Sequence, residues 1–105
     1  MKDLDTYQKL AMSTRLPAYK PDAALFGLLS EAGEIAAVFQ KMIRGDYNED
    51  VALTKLKAEL GDVLWGIAAV ATDNGWKLSD IGLENLEKLA ARKKAGTLKG
   101  DGDDR

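Results

Sequence analysis

The chain has 105 residues, of which 46% are hydrophobic and 30% are charged, and its formal net charge at pH 7 is −2. This composition is typical of one soluble globular domain and excludes a disordered chain. The near-neutral charge argues against a general nucleic-acid binder, which needs a concentrated basic surface, although it is compatible with a local basic patch. We therefore expect no nucleic-acid polymer among the partners.

Two residue types are absent, and their absence narrows the possible chemistry. Without cysteine there is no disulfide framework and no thiolate metal site. Without histidine, zinc hydrolase sites, Ser-His-Asp triads and Glu-x-x-His di-iron motifs all lose a required group. The remaining metal ligands are oxygen atoms, which suit hard cations such as Mg²⁺, Mn²⁺ or Ca²⁺.

The N-terminal segment gives no sign of export. Met1-Lys2-Asp3-Leu4-Asp5 carries acidic residues where a signal peptide has its apolar core. No uninterrupted apolar run approaches the roughly 20 residues of a membrane span. We therefore expect a cytoplasmic protein with no membrane partner, and the lack of cysteine agrees with this compartment.

Four helices are predicted, and no strand, because sustained period-2 alternation of apolar residues is absent. Pro21 is placed to open the second helix, and Ser79-Asp80 is placed to cap the fourth. The predicted bounds are about Asp3 to Thr14, about Asp22 to Ile43, about Glu49 or Asp50 to Asn74-Gly75, and Ser79-Asp80 to about Ala95.

These helices are expected to form a single all-α domain over residues 1–95, followed by a glycine-rich polar tail over residues 96–105. The second and third helices are apolar on more than one stripe, and a chain of this size cannot easily cover them by itself. We expect a homo-oligomer whose interface is formed by these central helices. Mild exposure of alanine-rich faces is the alternative.

Four carboxylates interrupt the most apolar stretches of the second and third predicted helices. They form the pairs Glu31-x-x-Glu34 and Glu59-x-x-Asp62, and the i, i+3 spacing places each pair on one helix face. Carboxylates in apolar surroundings need a partner, a metal or a proton, and no Lys or Arg lies within a helical turn of the first pair. If the two helices pack antiparallel, all four side chains can meet and form a cage for a divalent cation.

A glycine lies between the two acids of each pair, at Gly33 and Gly61. Glycine at each of these positions costs about 1 kcal/mol of helix propensity. Close helix packing or the approach of a ligand would offset this cost. The alternative is that all four acids lie on the solvated faces of amphipathic helices.

The arrangement of the two acid pairs, with a spacer between them, resembles the signature of the all-α nucleoside triphosphate pyrophosphohydrolases, the MazG-like family. Asn85-Leu86-Glu87-Lys88-Leu89-Ala90-Ala91-Arg92 resembles the Asn-x-x-Lys-Leu-x-x-Arg element of these proteins. The opening Leu4-Asp5-Thr6-Tyr7-Gln8 and the glycine-rich end are also similar to those of small stand-alone members. The resemblance therefore spans nearly the whole chain.

The resemblance implies a four-helix-bundle-like MazG fold that assembles as a homo-oligomer, either a dimer or a tetramer. It also implies Mg²⁺-dependent hydrolysis of nucleoside or deoxynucleoside triphosphates to monophosphate and pyrophosphate, in a role such as nucleotide-pool clearance. Mn²⁺ is an alternative ion. The metal ligands would be Glu31, Glu34, Glu59 and Asp62, and either Glu34 or Glu31 would activate the water, with Glu34 preferred.

The triphosphate also needs cations. Lys88 and Arg92 are spaced i, i+4 on the last predicted helix and would hold the β- and γ-phosphates, with Asn85 one turn earlier and Lys41 as a further phosphate contact. A solvated helix end that carries Lys and Arg because of the helix dipole is the alternative. Phe26, Trp65 and Trp76 can stack on a base, although such residues are more often core.

Two other functions remain compatible with these residues. A dimeric all-α dUTPase- or dCTPase-type nucleotide hydrolase would share the acids and differ in its contacts to the base. A non-catalytic helical module would bind metal or nucleotide without turnover.

Overall fold

A computed structural model describes residues 3–96, which form four α-helices joined by short loops and contain no strand. The all-α prediction is therefore confirmed. The predicted tail lies outside the described residues except for Gly96, which ends the last helix. The helices are α1 (Leu4–Met12), α2 (Pro21–Arg44), α3 (Glu49–Asp73) and α4 (Leu78–Ala95).

Local capping interactions explain where the first three helices begin and end. Asp3 caps α1 and Asn48 caps α3, and each side chain accepts a hydrogen bond from the backbone N–H three residues further on. Pro21 occupies the first turn of α2, as predicted. Gly45 ends α2 with a φ of +90°, a left-handed conformation that glycine adopts without strain.

Helices α2 and α3 form an antiparallel hairpin, which is the largest helix–helix interface in the described chain. Leu28 of α2 packs against Gly66 of α3, where a Cβ atom would lie only 3.3 Å from the Leu28 Cα atom. The missing side chain therefore allows the two backbones to approach closely. One turn further along, Glu31 of α2 meets Glu59 and Asp62 of α3.

Helix α1 packs across α3, and the buried side chain of Gln8 connects α1 to the start of α4. The Gln8 amide nitrogen donates to the Thr72 hydroxyl at 3.0 Å and to the Trp76 carbonyl at 2.9 Å. The Gln8 amide oxygen accepts the Leu78 backbone N–H at 2.9 Å. The bond to Leu78 is buried and the other two are partly buried, and together they fix α4 relative to α1 and α3.

The predicted cap of α4 is wrong. The helix begins at Leu78, so Ser79 and Asp80 lie in its first turn. The carboxylate of Asp5 in α1 instead accepts the Ser79 backbone N–H at 3.0 Å and the Ser79 hydroxyl at 2.6 Å. These hydrogen bonds lower the pKa of Asp5. A cap supplied from 74 residues earlier leaves no signal in the sequence around α4.

The buried core of the single chain is small and consists mostly of alanine. Ala11, Ala68, Ala71 and Leu78 form a cluster where α1, α3 and α4 meet, and no large side chain of the described residues is fully buried. Burial of large apolar side chains normally drives folding, so a single chain leaves much of that contribution unused. The large exposed apolar side chains of α2 are Leu25, Phe26, Leu29, Phe39 and Ile43.

Replacing Gln8 with Leu keeps a similar volume but removes all three hydrogen bonds of its side chain. The buried Leu78 N–H and the Trp76 carbonyl then lose their partner, and we expect the free energy of unfolding to fall by about 2–4 kcal/mol. Urea denaturation followed by circular dichroism measures this change. Gln40→Leu, at an exposed position of α2, is the control and should change stability by less than about 0.5 kcal/mol. Equal stability of Gln8→Leu and wild type would contradict the role of these bonds.

Candidate metal centre

Three carboxylates of the α2–α3 hairpin lie together. One oxygen atom each from Glu31, Glu59 and Asp62 lies within 4.8 Å of the others. Glu31 projects from α2, and the other two project from one face of α3 because they are spaced i, i+3. Antiparallel packing brings the two helix faces to the same level. We call these three residues the acid cluster.

The electrostatics of the acid cluster favour a bound cation. Desolvation raises the pKa of Glu31, and the nearby carboxylates of Asp62, Glu59 and Glu34 raise it further. The Oε2 atom of Glu59 is buried and accepts no hydrogen bond from the described residues. A buried carboxylate oxygen without a partner is costly, and a hard divalent cation is a suitable partner for carboxylate ligands. The donor set therefore fits such an ion.

The fourth predicted ligand, Glu34, is not part of the acid cluster. Its exposed side chain lines a neighbouring depression of about 260 Å³ together with Lys41, Lys55 and Tyr47. Glu59 lines the same depression and so connects it to the acid cluster. The charge of Glu34 still contributes to the raised pKa of Glu31, which shows that the two acids are close. We call this site the lysine depression.

Sequence reasoning identified Lys41 but missed Lys55 and Tyr47. Lys55 precedes Glu59 by four residues on α3, so it shares the helix face of that acid, and this spacing was the available signal. Tyr47 lies in the loop between α2 and α3, and its ring centre lies 5.5 Å from the Lys55 ammonium nitrogen. The position of a loop residue depends on how the hairpin closes, which the spacing of residues does not show.

A second pocket, of about 370 Å³, adjoins Glu31 and Asp62 nearer the start of α2. Its walls include the rings of Tyr19 and Trp65, whose centres lie 5.4 Å apart. The Trp65 indole N–H donates to the Ala11 carbonyl at 3.1 Å and to the Thr14 hydroxyl at 3.0 Å, which fixes the orientation of the ring. We call this site the aromatic pocket.

Arg15 holds the loop that forms one wall of the aromatic pocket. Its guanidinium group makes two hydrogen bonds to the Asp73 carboxylate, at 2.9 and 3.1 Å, and two more to the Tyr19 carbonyl, at 2.7 and 3.0 Å. The side chains of Arg15 and Asp73 are each only 15% exposed, so solvent screens this bidentate ion pair only weakly. The segment between α1 and α2 is thereby fixed against the end of α3.

The glycines near the site differ in what surrounds them. A Cβ atom at Gly27 would overlap the Tyr19 hydroxyl, so the missing side chain at Gly27 leaves room for the Tyr19 ring in the wall of the aromatic pocket. At Gly33 and Gly61, a Cβ atom would find nothing within 4 Å. Close helix packing at these two glycines is therefore not found within one chain, and they border open space next to the acids.

The residues of α4 that were predicted to bind phosphate lie elsewhere in the chain. Asn85 and Lys88 line a separate depression of about 300 Å³ together with Ile81 and Glu84. Arg92 is buried, with 6% of its surface exposed. No residue of α4 lines the aromatic pocket or the lysine depression. A role of these residues in binding phosphate stays a prediction.

Known proteins resemble this chain over most of its length. Residues 20–97 match the MazG nucleotide pyrophosphohydrolase domain. The chain is also 42% identical to "Gene 37 protein" of Mycobacterium phage L5 in an alignment 84 residues long, and the match covers 75% of this chain and 71% of that protein. No solved structure matches the chain. None of the helices over residues 3–96 has the length and apolar character that a membrane span requires.

Glu31→Gln removes one of the repelling charges of the acid cluster. Because the fold raises the pKa of Glu31, the metal-free wild type should gain stability as the pH falls from neutral towards the ordinary glutamate pKa. The variant lacks this gain, so its Tm should be higher than that of the wild type near neutral pH and should depend less on pH. Differential scanning fluorimetry across this pH range measures both, with Glu87→Gln on α4 as the control.

Added Mg²⁺ or Mn²⁺ should reverse this order of stability. An ion present at ten times its dissociation constant stabilises the folded state by about 1.4 kcal/mol. In a domain of about 100 residues, this stabilisation raises the Tm by roughly 5 °C or more. Glu31→Gln lacks one ligand and should respond less. Equal shifts in the variant and the wild type, or no shift with either ion, would contradict the metal centre.

Proposed function

Because the chain belongs to the MazG nucleotide pyrophosphohydrolase family, we propose that it hydrolyses nucleoside or deoxynucleoside triphosphates to monophosphate and pyrophosphate with Mg²⁺. The observation that carries this proposal is the position of the acid cluster between the aromatic pocket and the lysine depression. A nucleotide has the same order of chemical groups: an aromatic base with its sugar, then the reacting phosphate, then the anionic polyphosphate.

The base and sugar would occupy the aromatic pocket. Its volume of about 370 Å³ lies within the range of small-molecule pockets. Aromatic side chains such as Tyr19 and Trp65 stack on bases of any kind, and each such contact contributes about 1–3 kcal/mol. Hydrogen bonds hold the Trp65 ring and the Tyr19 backbone in place before the ligand binds. The entropy cost of ordering these groups on binding is therefore small.

The β- and γ-phosphates would occupy the lysine depression. Lys41 and Lys55 place two ammonium groups at its walls, and charge-assisted hydrogen bonds to phosphate oxygens are among the strongest polar contacts. Glu34 lines the same depression. Lys41 was predicted as a phosphate contact from the sequence, and Lys55 joins that proposal through the structure.

Hydrolysis at the α-phosphorus forms a bond to the water oxygen and breaks the bond to the bridging oxygen, and pyrophosphate leaves. Glu31, Glu59 and Asp62 would hold a divalent cation, which supplies charge neutralisation on the phosphate oxygens. Glu34 lies beside these ligands without belonging to them, so its oxygens remain available to accept the proton of the attacking water. This assignment agrees with the preference for Glu34 drawn from the sequence.

Asp62→Asn removes a charge from the acid cluster with almost no change in shape. We expect the wild type to release pyrophosphate from at least one nucleotide in a panel of NTPs and dNTPs, with Mg²⁺ or Mn²⁺ present and products identified by chromatography. The variant should lose at least about 10²-fold in kcat/KM while its helical spectrum is unchanged. Asp50→Asn, in the first turn of α3, is the control and should remain active.

The possible outcomes of this experiment distinguish the proposed hydrolase from a non-catalytic module. No release from any nucleotide by a folded wild type would favour the non-catalytic module. Full activity of Asp62→Asn would show that the acid cluster is not the active site.

Gly27→Ala tests the aromatic pocket. The added methyl group overlaps the Tyr19 hydroxyl, so the ring must move and the pocket should shrink. We expect KM for the best nucleotide to rise about tenfold and kcat to change less, because the acid cluster is untouched. Adding Tyr19→Phe removes the overlapping oxygen and should restore part of the affinity. Gly82→Ala on α4 is the control, and an equal KM in Gly27→Ala and Gly82→Ala would contradict the placement of the base.

A further inference from the structure

Charged side chains follow a fixed order along the α2–α3 hairpin. From the acid cluster towards the turn between the two helices, Glu34 and Glu59 come first, and Lys41 and Lys55 follow. At 1.5 Å per residue, Lys55 begins about 6 Å beyond Glu59 along α3, on the side away from Asp62. The lysine depression therefore has negative charge at the end nearest the acid cluster and positive charge at its far end.

The two lysines at the far end are accessible to an anion. Both are exposed, and neither forms a salt bridge with a residue between positions 3 and 96. The Cα–Cβ bond of a helical residue tilts towards the start of its helix, so Lys55 leans away from Glu59 and towards the loop that contains Tyr47. Its charge is thereby directed to the far end of the lysine depression.

The ring of Tyr47 holds the Lys55 side chain in this position. The ring centre lies 5.5 Å from the Lys55 ammonium nitrogen, within the range of a cation–π contact. The loop that carries Tyr47 is itself fixed, because the Asp46 backbone N–H donates to the Lys41 carbonyl at 2.9 Å and the Asp46 carboxylate pairs with Arg44. An ammonium group has three N–H donors, so one that lies over a ring can still donate to phosphate oxygens.

This order of charges favours long polyphosphates over short ones. With the α-phosphate at the acid cluster, a diphosphate has only one further phosphate, which would lie beside Glu34 and Glu59. Carboxylates repel an anion that ends there, since like charges at short distance interact unfavourably. A triphosphate extends one phosphate further and reaches the ammonium groups of Lys41 and Lys55, which form charge-assisted hydrogen bonds with it.

We propose that Lys55, positioned by the ring of Tyr47, binds the terminal phosphate and makes the protein select nucleoside triphosphates over the diphosphates of the same nucleosides. Lys41 contributes a second ammonium group from α2. The inference rests on the proposed function for the reaction and for the position of the α-phosphate. Lys55 is then a specificity residue that responds to the length of the polyphosphate, and Tyr47 is a positioning residue that acts through it.

Lys55→Ala tests this selection. The kcat/KM of each variant is measured for the triphosphate and for the diphosphate of one nucleoside, which yield the monophosphate with pyrophosphate or with phosphate. The wild type should prefer the triphosphate by at least about tenfold, and Lys55→Ala should lose most of this preference, because a hydrogen bond to a charged group contributes about tenfold or more in affinity. The diphosphate, which does not reach Lys55, should change by less than about twofold. Lys57→Ala, exposed on α3 and outside the lysine depression, is the control.

Two variants of Tyr47 test the positioning role. Tyr47→Phe keeps the ring and should keep the wild-type preference, whereas Tyr47→Ala removes the cation–π contact and should reduce the preference about threefold. Circular dichroism verifies that each variant is folded. An equal loss of kcat/KM for both substrates in Lys55→Ala would overturn the inference, and so would a wild type without preference. An unchanged preference in Tyr47→Ala would overturn the role of Tyr47.

A second measurement does not depend on hydrolysis. Isothermal titration calorimetry with Mg²⁺ compares the α,β-methylene analogues of the triphosphates in the panel with the matching diphosphate analogues. The wild type should bind at least one triphosphate analogue about tenfold more tightly than its diphosphate, and Lys55→Ala should lose most of this difference. Equal affinities in the wild type would overturn the inference even for an active enzyme. A difference that depends on Lys55 in a protein without hydrolytic activity would support the inference and contradict the proposed function. No binding of any analogue by the folded wild type would overturn both.

Discussion

The arrangement of this protein depends on the close approach of three carboxylates that repel one another. Glu31, Glu59 and Asp62 meet because α2 and α3 pack closely, and Gly66 allows that approach one turn away. Desolvation and the neighbouring carboxylates raise the pKa of Glu31, and one buried oxygen of Glu59 accepts no hydrogen bond from residues 3–96. A divalent cation would offset both costs, so the proposed metal binding would also stabilise the hairpin. These unfavourable contacts lie at the site of the proposed chemistry.

The surroundings of the acid cluster are held by polar contacts between residues far apart in sequence. Alanine packs the helices closely but buries little apolar surface, so hydrogen bonds and one ion pair fix the remaining elements. Gln8 connects α1 to α4, and Arg15 fixes the wall of the aromatic pocket against Asp73. Because the side chains of Gln8, Arg15 and Asp73 are largely shielded from water, each of these contacts is specific in geometry as well as stabilising.

The small core also explains why many large apolar side chains are exposed in the single chain. Phe26 and Trp76, for which the sequence favoured the core over stacking on a base, are 69% and 56% exposed in the single chain. The homo-oligomer expected from the sequence would supply the missing apolar contacts.

The sequence by itself determined what depends on local spacing. The all-α class, the approximate helix bounds, the two acid pairs and Lys41 follow from helical periodicity and from the ligand chemistry of a chain without histidine or cysteine. Only the tertiary structure decided which side chains meet. It left Glu34 beside the acid cluster but outside it, brought Tyr19 and Trp65 together, and placed Lys88 in a separate depression. These relations depend on how helices pack against one another, and residue spacing along a single helix carries no information about that packing.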